Sequence, residues 1–174
     1  MGYALIETVG NSIKYRGSGI LNNSKVDDFL LRPRILARQC GELALEASPD
    51  IIAIESLIYV KNVDSMLKLA QARGAILAGL NFENEIPIFE YAPNLVKSSV
   101  TGFGHASKGS VSKALEFMFP QVKIKSTDES DALAIAVCHA LLSKTRVNYP
   151  SSKSSQSTRS QSNYDRFFKR KSTL

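Results

Sequence analysis

The stretch that restricts the fold most is residues 51–62, IIAIESLIYVKN. Ile51-Ile52-Ala53-Ile54 is an unbroken apolar run, too short for a helix and without the alternation of a half-exposed strand. It therefore predicts a buried strand over residues 50–56. Segments with helical spacing flank it on both sides, 27–47 and 64–80. A core strand between two helices is the unit of an α/β fold with crossover connections. The run ends in Glu55. A carboxylate that loses water at the end of a core strand is costly unless something compensates its charge.

The rest of the chain continues the alternation. Residues 2–8 and 12–21 predict two strands joined at Val9-Gly10-Asn11, a hairpin turn signal. In the helix over 27–47, Pro33 belongs near the start. The helix over 64–80 has Asp64 or Ser65 as its starting cap. IPIFEY, residues 86–91, predicts another strand, and helices follow near 93–100, 107–118 and 127–143. Ser126 and Glu129 have the spacing of a capping box at the last of these. The helix 64–80 carries Ala70, Ala72, Gly74, Ala75, Ala78 and Gly79, small residues that let another helix approach, and is the first candidate for a dimer interface.

The net charge of +6 belongs to one end of the chain. After residue 143 there are eight Lys/Arg against Asp165, whereas residues 1–143 hold 14 basic and 15 acidic residues. The expected organisation is one domain over 1–145 and a basic, Ser-rich, disordered tail over 146–174. Such a tail suits either a solvated end or a sequence-independent contact with nucleic-acid phosphates. Cys40 and Cys138 are too few for a disulfide framework or a zinc site and are expected as reduced thiols in a cytoplasm. No basic, apolar leader opens the chain, and no apolar run reaches the roughly 20 residues that span a bilayer.

Chemistry is expected where strands end. In open α/β sheets the ligand crevice lies outside the carboxyl ends of the strands, where Glu55 sits. Asp128 and Asp131, three apart at the start of the last helix, project on one face. Alone they read as acids complementing a helix dipole. With Glu55 they make three carboxylates that suit a hard divalent cation such as Mg²⁺, the chemistry of phosphodiester cleavage. Lys61, Arg73, Lys97 and Lys108 are the nearby basic residues, and Lys97 and Lys108 bracket the loop TGFGHAS as candidate phosphate contacts. His105 and His139 lack partners at zinc-ligand spacing.

The strings GYALIE, IKYRGSGIL, AIE, KNVDSMLKLAQARG, FEYAPNLVKSSVTGFGHASKGSV and DESDALAIAVCHA occur in an order and spacing that resemble the RuvC family of bacterial Holliday-junction resolvases. The resemblance covers residues 2–143. It implies an RNase H-like fold, a five-stranded mixed sheet flanked by helices. It implies a homodimer, through helix 64–80, that cuts four-way DNA junctions symmetrically by Mg²⁺-dependent hydrolysis alongside the RuvA–RuvB branch-migration complex. By position, Glu55, Asp128 and Asp131 are the implied metal-binding catalytic acids, and Lys97 and Lys108 the implied contacts near the scissile phosphate.

Two departures from the family pattern stand out. The family's junction-wedging aromatic, three residues after the strand glutamate, is Ile58 here, with Tyr59 beside it as a candidate DNA contact. The family's first, central strand, whose aspartate is a fourth acid, has no counterpart before Gly2. The expectation is that the natural protein carries roughly 15 further residues upstream, one strand and its turn. Otherwise the chain binds junctions without cutting them. The QARG and DALA strings argue against a different RNase H-like nuclease.

Overall fold

The computed structural model describes residues 1–23, 26–57, 62–80 and 86–145, with side chains up to 143. Ile58, Tyr59, Lys61 and the tail over 146–174 lie outside the described residues.

Strands β1 (Gly2–Val9) and β2 (Ser12–Ile20) pair antiparallel, with a register shift between Leu5 and Ile6. Val9 faces Ser12, so the connection is the two-residue loop Gly10-Asn11, with Gly10 at φ 56°, a backbone region favouring glycine. Helix α1 spans Leu31–Ala47, four residues shorter at its start than its periodicity predicts. Proline is the reason. A helix begun at 27 would set the Pro33 ring against the carbonyl of residue 29, whereas from Leu31 it falls in the first turn, where N–H groups have no helical partner. Asp28 instead makes a turn, accepting the Leu30 N–H on its side chain at 2.8 Å.

Strand β3 (Ile52–Glu55) pairs parallel with β4 (Ile88–Tyr91), and between them runs helix α2 (Val63–Leu80). Asn62, not Asp64 or Ser65, caps α2, its Oδ1 accepting the Ser65 N–H at 3.0 Å. β4 is shorter than IPIFEY suggests because Pro87 has no N–H to donate; its carbonyl still accepts from Ile52 at 2.9 Å. Helices α3 (Pro93–Thr101), α4 (Lys108–Met118) and α5 (Thr127–Thr145) complete the order. Ser107 caps α4, accepting the Ser110 N–H at 3.1 Å. At α5 only half of the expected capping box forms. Ser126 accepts from Glu129 N–H at 3.2 Å, but the buried Glu129 carboxylate takes the Ser18 hydroxyl at 2.9 Å and so ties β2 to α5.

Alternation along β1 builds three layers. Ala4 and Ile6 face the cluster of Val96, Val111, Leu115, Leu133 and Val137 from α3, α4 and α5. Tyr3 and Leu5 face Leu36, Cys40 and Ile76 from α1 and α2. A side chain on Gly79 would stand 2.1 Å from the Ala37 carbonyl, so this glycine is what lets α2 lie against α1. Part of the small-residue pattern therefore serves packing inside the chain. Among the described residues the sheet is not the five-stranded one that the resemblance implies. It is two separate pairs, β1-β2 and β3-β4, with α5 packed on β1, β2 and β3.

Candidate active site

The parallel register sets Glu55 opposite Tyr91, and Ser56 N–H continues the ladder to the Tyr91 carbonyl at 2.9 Å. The Tyr91 hydroxyl in turn lies 2.7 Å from Nδ1 of His139 on α5. Phe89, two residues back on the same face of β4, lies against the His139 ring, centroids 4.9 Å apart and planes tilted by 50°. Burial holds the His139 pKa below its ordinary value, which favours the neutral ring. The strand that carries Glu55 is thus fastened to the helix that carries Asp131.

Glu55 and Asp131 share one neighbourhood. The Glu55 carboxyl has its pKa raised first by loss of water and second by the Asp131 charge, while Lys108 and Lys97 pull it down. Lys108 Nζ also pairs with Asp131 Oδ2 at 3.3 Å. Lys97 reaches the site from α3 and Lys108 from the first residue of α4. The structure therefore brings together four of the residues named from sequence: Glu55, Asp131, Lys97 and Lys108.

The other residues named from sequence are placed differently. Asp128 has the Met1 ammonium 3.8 Å from Oδ2. Its backbone is crowded by β1, since a side chain on Gly2 would come within 2.0 Å of the Asp128 carbonyl. Among the described residues no group of three His, Cys, Asp or Glu side chains is placed to hold a metal, so the expected triad of acids is not assembled. Arg73, expected at the DNA, instead spends its guanidinium within the fold. It donates to the Glu55 carbonyl at 2.9 Å and pairs with Glu90 on β4.

The donor chemistry fits a divalent cation even so. A carboxyl such as Glu55, whose ionisation burial and then the Asp131 charge make costlier, is relieved by a hard cation. Mg²⁺ is usually held by one or two carboxylates together with substrate phosphate oxygens. Flanking lysines then suit the remaining phosphate charge. Sequence reasoning did not find the Tyr91–His139 fastening. Its signal was the alternation in IPIFEY, which puts Phe89 and Tyr91 on one face.

Fold and site define a class: an α/β domain with an acid–lysine cluster at the carboxyl end of a parallel strand pair. The chain belongs to the crossover junction endodeoxyribonuclease RuvC family, whose model matches residues 1–139. Two solved structures of Thermus thermophilus RuvC are similar to it. One superposes with a TM-score of 0.70 at 24% identity, covering 83% of this chain and 87% of that one. The other, RuvC in complex with a Holliday junction substrate, gives 0.75 at 23% identity over 83% and 88%.

Proposed function

We propose that this chain is a structure-specific endonuclease that cuts four-way DNA junctions symmetrically by Mg²⁺-dependent phosphodiester hydrolysis. The observation that carries the reading is the coupling of Glu55 and Asp131 beside Lys97 and Lys108. Glu55, Asp131 and Asp128, the last at the start of the same helix as Asp131, are the residues that would hold the cation. A bound Mg²⁺ supplies Lewis-acid activation of water and stabilisation of the leaving oxygen. Lys97 and Lys108 hold the scissile phosphate against the acids and balance its charge. Arg73 keeps the Glu55 strand in place from behind, while Tyr59 and Lys61 follow Glu55 closely enough in sequence to meet the DNA.

A fourth acid comes from a further strand that joins the two sheets. β1 and β3 each have only one ladder partner among the described residues, and α5 packs against both pairs. Unpaired strand edges are liabilities that native folds cover. Two copies associate through α2, where Val63 and Leu67 are exposed and Ala70 and Gly74 continue their stripe at helical spacing. The enzyme works in the cytoplasm with the RuvA–RuvB complex. Among the described residues no helix is long and apolar enough to cross a membrane. The tail over 146–174 adds sequence-independent phosphate contacts. Its removal should weaken junction binding chiefly at low salt, and an unchanged affinity there would leave it no such role.

One observation favours a second reading, junction binding without cleavage: among the described residues no group of three His, Cys, Asp or Glu side chains is placed to hold a metal. Cleavage of a synthetic four-way junction with Mg²⁺, by this chain and by one extended upstream, separates the two. The extended form should cut and its Glu55→Gln variant should bind without cutting. Cutting by that variant would remove Glu55 from the mechanism, and binding without cutting by both chains would favour the second reading.

A further inference from the structure

The loop between α3 and α4, which joins the helix of Lys97 to that of Lys108, presents an aromatic pair to solvent. Phe103 is 61% exposed and meets the His105 ring edge-on, with centroids 5.8 Å apart. Single exposed apolar residues are ordinary; this one is built in. The Thr101 hydroxyl accepts the Phe103 N–H at 3.2 Å and lies 2.7 Å from the Lys97 carbonyl. Ala106, itself buried, donates its N–H to the Phe103 carbonyl at 3.1 Å. Gly102, at φ 78°, turns the chain out of α3 and into the loop. An apolar ring is thus held outward by a hydrogen-bonded loop.

Its position gives the ring a partner. Phe103 lies between Lys97 and Lys108 in the chain, and both lysines act on the Glu55 carboxyl. Phe117 is more exposed still, at 88%, but stands at the far end of α4, about 13 Å along the axis from Lys108. A ring flanked by phosphate-seeking cations has the makeup of a single-strand contact, in which lysines track the backbone and an aromatic face takes a base. Bases in paired duplex are stacked and unavailable. Those at the branch of a junction are not all so protected.

We propose that Phe103, supported by His105, stacks on an unpaired nucleobase next to the phosphate held between Lys97 and Lys108. This contact rests on the junction-nuclease reading and adds to it a means of telling a branch from plain duplex. Lysines alone see phosphate in both.

The test uses four-way junctions carrying 5-iododeoxyuridine at successive nucleotides around the crossover, bound by the full chain in Ca²⁺ and irradiated. An adduct should map to the peptide containing Phe103, and Phe103→Ala should lose it while Phe103→Trp keeps it. Junction affinity should fall roughly tenfold in Phe103→Ala, with duplex affinity unchanged. Because the side chain is exposed, the variant should keep the wild-type circular dichroism. A junction-selective wild type whose Phe103→Ala variant binds and crosslinks equally overturns the stacking contact alone. A wild type that binds junction no better than duplex overturns the junction reading and this contact with it.

Discussion

Glu55 loses water at its strand end and, after that, feels the charge of Asp131, and both make the metal-free protein respond to pH. The Glu55 carboxyl is raised above the ordinary value of 4.5, so the folded state holds a proton that the unfolded chain has released. Stability from this group is fullest below 4.5 and falls as pH rises through the window up to the folded value. Glu55→Gln removes the charge and should raise the melting temperature of the metal-free protein at neutral pH, with no gain in acid. Mg²⁺ should stabilise the wild type and leave the variant where it was. Parallel melting curves across roughly pH 4 to 8 would contradict the assignment. Burial acts in the same direction on Cys40: its thiol is pushed up to about 11, which keeps it protonated and inert.

Between elements, fastenings set the distance from Glu55 to Asp131. Tyr91→Phe deletes the hydroxyl that reaches His139, at a cost of about 1 kcal/mol in stability. Because that bond ties β4 to α5, the turnover of bound junction should fall more than junction affinity does. Equal losses in both would mean that the bond supports only the fold. At the α1–α2 contact, Gly79→Val drives methyl groups into the Ala37 carbonyl and should cost about 1–3 kcal/mol by denaturant unfolding. Elements of this kind were legible in the sequence to different degrees. IIAIE announced its strand and carboxylate because periodicity and charge are local properties. The starts of α1 and α2 were misplaced because Pro33 and Asn62 outrank apolar spacing at helix ends. The division of the sheet into two pairs, and the diversion of Arg73 into the fold, depend on contacts between distant segments that no local pattern carries. The candidate site was legible in its residue types, and Lys97, Lys108, Glu55 and Asp131 do meet. The position of Asp128 was not, since it depends on what lies beside β1.

For the whole molecule, α2 packs one face on α1 and leaves another outward, the one proposed to meet a second copy. Gly79 and Ile76 face α1, while Val63, Leu67 and Gly74 face outward. Leu67→Glu places a charge on the outward face without touching the α1 side. Sedimentation should show the wild type as a dimer and the variant as a monomer, with both melting alike. A variant that stays dimeric would move the interface elsewhere. Symmetric cutting of two strands needs two sites at a fixed separation, so the monomer should nick junctions and not resolve them. Helix α5 packs on both strand pairs and carries Asp131, so it works as a splint between two pairs that share no ladder among the described residues. A site set on a splint takes its geometry from both pairs. Under the proposed function, a strand or a substrate that bridges the pairs would also fix Asp131 against Glu55. Assembly of the sheet and readiness to cut are then one event.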